Sequence, residues 1–240
     1  MIPIYETFHA FQGEGSHMGK NAFFIRSYGC PVKCNFCDSA GTWHKDWSQN
    51  KSTKYSEKEL ANIIIKESAN LTIITGGEPA IFDWSEVINL VKESTPKVEN
   101  NSLVSNSAKK VENKIHLETS GGFEVKGGFD WITMSPKIEA PIHAPILRSV
   151  DELKIIVTGP DSINQWNDLY DAVDDIPIWL HPEWSQRNNP VILRAITDAI
   201  KYGDSRFRAG YQLHKLYSCD SLDERSRPLV PLGGDINNGY

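Results

Sequence analysis

Three of the chain's four cysteines fall within eight residues, Cys30-Pro31-Val32-Lys33-Cys34-Asn35-Phe36-Cys37. Thiolates are the ligands that iron–sulfur clusters and zinc prefer, and such short spacings let one loop wrap one metal centre. The count is informative. Structural zinc and electron-transfer clusters usually take four protein ligands, whereas three leave one metal position open to a small molecule. On spacing alone two readings stand: a cluster with one open iron, or zinc completed by His44, His116 or Cys219.

The rest of the composition limits the setting. A hydrophobic fraction of 40% suffices for a buried core, and a charged fraction of 23% argues against wholesale disorder. The net charge of −6 comes without a long basic run, so no footprint for a nucleic-acid backbone is visible. Residues 1–11 lack the basic and apolar regions of a signal peptide, and no apolar run approaches the roughly 20 residues that span a bilayer. A soluble, cytoplasmic protein with reduced or metal-bound thiols is the expectation.

Short apolar runs bounded by turn residues predict strands at 22–25, 71–75, 114–119, 131–134, 152–158 and 177–180, with 207–216 as a further strand. Ser56 with Glu59 reads as a capping box opening a helix whose apolar face holds Leu60, Ile63 and Ile64. Asp83 with Glu86 repeats that pattern ahead of Val87, Ile88 and Val91, with Trp84 on the same core face. Helices are also predicted at 162–173 and 191–202, and the polar stretch 95–113 as a mobile surface segment. Alternating strands and helices predict an α/β fold with a parallel sheet. Six βα units are too few for a closed eight-stranded barrel, so the expectation is a single-domain partial barrel with its chemistry at the C-terminal strand ends.

The cysteine spacing, with an aromatic residue before the last thiol, resembles the radical S-adenosylmethionine (SAM) signature. Thr75-Gly76-Gly77-Glu78-Pro79 resembles the second motif of that family. The resemblance implies a partial (β/α)6-type barrel and a [4Fe–4S] cluster on Cys30, Cys34 and Cys37, whose open iron chelates SAM. Glycines let backbone carbonyls approach the SAM ammonium closely, and Phe36 is implied to pack near the adenine.

Further segments resemble one subfamily, the 7-carboxy-7-deazaguanine synthases. They are Glu6-Thr7-Phe8, Phe11-Gln12-Gly13-Glu14-Gly15, residues 22–26, Cys37-Asp38-Ser39, Glu118-Thr119-Ser120-Gly121, Ser135-Pro136-Lys137, His181-Pro182-Glu183 and Gln212-Leu213-His214-Lys215. Their order and spacing run from Ile4 to about Leu216. Such enzymes convert 6-carboxy-5,6,7,8-tetrahydropterin to 7-carboxy-7-deazaguanine with loss of ammonia, SAM being regenerated and Mg2+ gathering the substrate carboxylate.

The resemblance implies roles residue by residue. Phe11, Gln12, Gly13, Glu14 and Glu118 would meet the pterin edge, Arg26 its carboxylate, and Thr75 and His214 the rearranging ring. Phe36, Asp38, Gly76, Gly77, Glu78, Ser120, Ser135, Lys137 and His181 would hold SAM, and Ser39 would bind Mg2+. Ser39 stands where the subfamily usually has threonine, keeping the hydroxyl but losing the methyl that restricts its rotamer. Shorter members end just beyond the Gln-x-His-Lys motif and use the terminal carboxylate near the substrate. Here the chain runs on, so Asp220 or the tail is expected to take that place. The expected layout is a barrel domain over 1–218 and an extension over 219–240 packing on or near the active site. A homodimer and an external flavodoxin-like or ferredoxin-like electron donor are implied, with neither nucleic acid nor membrane as partner. Two other readings remain: an activating enzyme for glycyl-radical proteins, and a metal-binding module without catalysis.

Overall fold

The computed structural model describes residues 1–44, 52–94 and 113–227. Strands 114–119 and 131–134 form at the predicted bounds as β5 (Lys114–Thr119) and β6 (Trp131–Met134). The other predicted strands appear as β2 (Asn21–Ser27), β4 (Leu71–Gly76), β7 (Glu152–Val157) and β8 (Ile178–Pro182). Two strands escaped the sequence, β1 (Ile2–Phe11) and β3 (Thr53–Tyr55). The expected strand over 207–216 is corrected: β9 covers only Phe207–Ala209, and the motif beyond it coils into α5 (Leu213–Tyr217). Gly210 explains the stop. It lies so close to the His181 ring that a Cβ would sit 2.2 Å from Nε2, and the chain turns away there.

All nine described strands join one open sheet in the order β3-β1-β2-β4-β5-β6-β7-β8-β9. From β2 to β9 every pairing is parallel, while β1 runs antiparallel to both neighbours. The crossovers use α1 (Glu57–Glu67), α2 (Ser85–Ser94), α3 (Asn167–Ala172) and α4 (Pro190–Tyr202). The β5–β6 crossover has no α-helix, and β6–β7 has only the short turn Ala144–Arg148. Ser56 caps α1 as predicted, with its hydroxyl accepting from the Glu59 N–H while Glu59 reaches back to the Ser56 N–H. The second capping box does not form. Asp83 accepts from Ser85 N–H at 2.9 Å, one residue short of the box geometry. The 162–173 region is likewise shorter than expected, broken into 3-10 turns before α3. Most of the polar segment 95–113 lies outside the described residues.

Side-chain alternation sorts the parallel strands into two faces. Ile115, Leu117, Ile132, Met134, Leu153, Ile155, Val157, Ile178 and Leu180 are buried in one continuous apolar core with Leu60, Ile64, Trp84, Val87 and Ile192. Their alternates His116, Glu118, Thr133, Glu152, Lys154 and His181 form the polar set of the other face. Among the described residues, no helix is long and apolar enough to cross a membrane.

Two of these interior residues make the fold acid-sensitive. Burial brings the pKa of both His116 and His181 down to about 4 from an ordinary 6.5. The folded protein therefore keeps both neutral, and their contribution is fully present above the unfolded value. As pH falls from 6.5 towards 4 the unfolded chain gains protons that the folded one refuses, and stability is lost. The thermal midpoint should drop between about pH 7 and 5 by the equivalent of roughly 1–2 kcal/mol per histidine. A His116→Gln variant should show a shallower drop by differential scanning calorimetry; an unchanged slope would refute the assignment.

Candidate functional site: a three-cysteine loop opening on a polar cavity

The parallel sheet brings the loops after its strands to one mouth. The cysteine loop follows β2, and its base is closed by Gly29 N–H donating to the Thr42 carbonyl at 2.9 Å. It is tied to β4 by two more backbone bonds, Gly77 N–H to Ser27 O (3.1 Å) and Glu78 N–H to Gly29 O (2.9 Å). Only glycine fits here: a Cβ on Gly77 would lie 2.2 Å from the Gly29 carbonyl oxygen. Gly76 adopts φ +138°, and a Cβ there would meet the Ser27 backbone at 2.4 Å. Within the loop Lys33 takes a left-handed conformation (φ 56°), and Cys37 N–H bonds back to Cys34 O at 3.4 Å.

Cys30, Cys34 and Cys37 all line the cavity at this mouth and are free thiols. Among the described residues, no three His, Cys, Asp or Glu side chains converge tightly enough to hold a single ion. Burial pushes the Cys34 thiol up to about 12 and raises Cys30 and Cys37 as well. Burial thus disfavours their free thiolates, the form that a bound iron would stabilise. Trp43 Nε1 donates to Cys37 Sγ at 3.4 Å, and the Ser39 hydroxyl lies 3.7 Å from the same sulfur. Hydrogen bonds of this kind tune a cluster from its outer shell. The donor set, its open side and its sulfur-directed hydrogen bonds fit a [4Fe–4S] group.

Around the same cavity stand Gln12, Glu14, Arg26, Phe36, Asp38, Ser39, Thr75, Gly76, Gly77, Glu78, Glu118, Ser120, Ser135, Lys137 and His214. Three expected residues fall outside its lining. Phe11 packs edge-to-face on Tyr217, with ring centroids 5.6 Å apart. Gly13 offers its carbonyl to Leu213 N–H at 3.0 Å and leaves room for His214 beside it. His181 is fully buried, with no hydrogen-bond partner on either ring nitrogen among the described residues and Glu14 Oε1 at 3.9 Å from Nδ1. It is buried beside the cavity without entering its lining.

Several lining groups are engaged by the protein itself. Glu78 Oε1 accepts from Ala80 N–H (3.0 Å) and Thr119 Oγ1 (2.6 Å), and Oε2 accepts from Ser120 N–H (2.8 Å) and the Ser120 hydroxyl. Its carboxylate thus fastens the end of β5 to that of β4. Lys137 Nζ donates to the Ser135 carbonyl and hydroxyl at 2.6 and 2.7 Å. Arg26 Nε donates to Glu6 Oε1 at 2.7 Å. Against the pull of burial, the Lys215 ammonium 3.1 Å away holds the Asp38 carboxyl below its usual range, joining the cysteine loop to α5.

The sequence missed Lys154, Trp43 and the pairing roles of Glu6 and Lys215. Lys154 carried a signal: it is the lone cation in Glu152–Val157, a strand otherwise apolar after its first residue, and a charge buried on both faces requires partners. Here they are Glu14 and Glu118, at 2.5 and 3.6 Å.

Comparison with known proteins agrees with this geometry. Residues 11–121 match a family described as a 4Fe-4S single cluster domain. The chain is 32% identical to 7-carboxy-7-deazaguanine synthase of Synechocystis over 89% of its own length and 91% of the relative's. The chain belongs to the 7-carboxy-7-deazaguanine synthase family. A Prochlorococcus marinus member is 37% identical over 65% of this chain and 64% of that protein. The crystal structure of QueE from Escherichia coli superimposes with a TM-score of 0.70 at 26% identity, covering 89% of this chain and 94% of that one. The open sheet is thus the partial barrel of this family.

Gly77→Ala should separate the cysteine loop from β4, because its Cβ collides with backbone that cannot swing aside. After anaerobic reconstitution the variant should hold less than about half the wild-type iron and sulfide while retaining its far-ultraviolet circular dichroism. Full iron loading would show that the close approach is dispensable.

Proposed function

We infer that this protein is a radical SAM lyase that converts 6-carboxy-5,6,7,8-tetrahydropterin to 7-carboxy-7-deazaguanine with loss of ammonia. One observation carries the reading. In a chain of this family, the three-cysteine loop opens on the same cavity as the half-buried Arg26 and the buried carboxylates of Glu14 and Glu78. When bound, the cluster and SAM supply the one-electron chemistry that activates the substrate C6–H bond; the chain binds, orients and shields.

Arg26 offers its planar fork to the substrate carboxylate, held in aim by Glu6 through Nε. Glu118, fixed by Gln12 Nε2 at 2.8 Å and Thr75 Oγ1 at 3.4 Å, accepts from the N–H groups of the pterin's guanidine-like edge. His214, carried by α5 over the cavity, hydrogen-bonds the ring that contracts. Phe36 packs against adenine, while Ser135 and Lys137 face the SAM ribose and carboxylate. Magnesium is a further proposal: the Ser39 hydroxyl, near the Gly76 carbonyl at 3.5 Å, supplies one of the few protein oxygens that ion takes.

The chain after Ser218 also has a proposed part. His9 N–H donates to Asp223 Oδ2 at 2.8 Å, Arg225 pairs with Glu67 at 2.8 Å, and Arg227 N–H donates to Glu6. These contacts support an extension that leans on β1 and braces the Glu6–Arg26 pair. The side chain of Asp220 and residues 228–240 lie outside the description. A cytoplasmic homodimer served by a flavodoxin-like or ferredoxin-like donor completes the proposal.

Anaerobically reconstituted protein, given SAM, dithionite, Mg2+ and the carboxytetrahydropterin, should yield carboxydeazaguanine by mass spectrometry. An intact cluster that cleaves SAM without this product would defeat the substrate assignment. Arg26→Lys keeps the charge but loses the fork. It should raise KM for the pterin by about tenfold or more with an unchanged cluster spectrum; wild-type KM would remove Arg26 from the carboxylate site.

A further inference from the structure

Lys154 lines the cavity, meets two carboxylates from different elements, and stands outside every motif considered above. It projects from the middle of β7 and is buried, as are Glu14 and, to a lesser degree, Glu118. Its ammonium lies 2.5 Å from Glu14 Oε2, on the loop after β1, and 3.6 Å from Glu118 Oε2, on β5. Gln12 closes the group from the other side: its Oε1 accepts from Glu14 N–H at 3.1 Å, and its Nε2 donates to Glu118 Oε1.

We propose that Lys154 is a positioning residue for the family's reaction, holding Glu14 and Glu118 together as two ionised carboxylates so that Glu118 meets the pterin's donor edge as a pure acceptor. The proposal rests on the substrate reading above and deepens it. Two carboxylates sharing a dry site do not both ionise without a cation between them. A protonated carboxylic acid loses part of its acceptor capacity and presents an O–H where the substrate also presents donors. Lys154 is the cation that prevents this. Burial works against its ammonium, but Glu118 and Glu14 outweigh burial and hold its pKa above the ordinary lysine value. Burial likewise opposes the Glu14 carboxylate, and the Lys154 ammonium outweighs it, so Glu14 titrates far below its usual range.

The other charged and titratable groups facing this cluster do not replace it. His181 on β8 is held neutral by its burial. Asp38 on the cysteine loop and Glu152 at the start of β7 add negative charge, and the Asp38 carboxylate is already paired with Lys215. Lys137 is hydrogen-bonded to Ser135, and His214 adds only a weaker favourable field at Glu14.

The probe is 6-carboxypterin, whose own fluorescence reports its binding to the cluster-loaded, SAM-bound protein without turnover. Lys154→Met should weaken that binding by about tenfold or more and raise KM more than it lowers kcat. It should also bring an acidic limb into the binding profile between about pH 6 and 8, as buried Glu14 loses the charge that kept it ionised. Lys154→Arg should restore most of the affinity and flatten the profile. Where Lys154→Met fails to load iron, Lys154→Gln removes the charge but keeps an uncharged hydrogen-bond donor between the two carboxylates, which the fold tolerates better than a bare apolar group there. That variant should keep wild-type iron and SAM binding and still bind the probe weakly, with the same acidic limb. Wild-type affinity with an unshifted profile in either variant overturns the proposal. Failure of the wild-type protein itself to bind 6-carboxypterin would instead count against the substrate reading.

Discussion

Everything at the mouth of this barrel depends on how closely β2 and β4 run together beyond their paired residues. The backbone bonds from Gly77 and Glu78 to Ser27 and Gly29 continue the parallel ladder past the strands and into the cysteine loop. A sheet fixes distances along a strand to a fraction of an ångström, but a loop inherits that precision only where it is sewn to the sheet. The absence of side chains at Gly76 and Gly77 makes the stitch possible. Glu78 then extends it sideways, its carboxylate carrying the geometry of β4 across to Thr119 and Ser120 at the end of β5. Thiols, backbone carbonyls and hydroxyls from three strands are thereby set against one another before any ligand arrives.

The interior below that mouth is unusually polar for a sheet whose other face is so continuous. Glu14, Glu118, Glu152, Lys154, His116 and His181 all occupy positions that a merely stable barrel would fill with aliphatic groups. Buried charges of this sort add little to stability even when well paired, and breaking one pair costs about 3–5 kcal/mol. The apolar core between sheet and helices makes such an interior tolerable, since it runs unbroken from Ile2 to Phe207. The division of labour follows the strand pleat: one face holds the molecule together, and the other is free to be chemically demanding.

What the sequence disclosed follows the same division. Strands β5 and β6 and the cap of α1 were legible because local signals decide them: a β-branched run between turn residues, or a serine three residues before a glutamate. The cysteine loop and the glycine pair were legible because few other chemistries want those residues so spaced. β1 was not, since its residues Ile2 to Phe11 find their partners only through antiparallel pairing with β2 and β3. Nor was the short reach of β9, which is set by the His181 ring behind Gly210 rather than by propensity. The residues that support others were the hardest to see. Lys154 and Glu6 acquire meaning from partners 140 and 20 residues away, and spacing along the chain carries no trace of either pair.

The Asp38–Lys215 bridge spans 177 residues, and the wall of the cavity is made from the first few elements together with the last. A chain emerging from the ribosome therefore completes β1, β2 and the thiol loop long before Gln212, His214 and Lys215 exist to roof them. Contacts of such long range form late and slowly. The binding chamber is consequently finished only once Gln212, His214 and Lys215 have been made, which leaves an interval in which the iron-binding loop is exposed from above and accessible to whatever delivers metal.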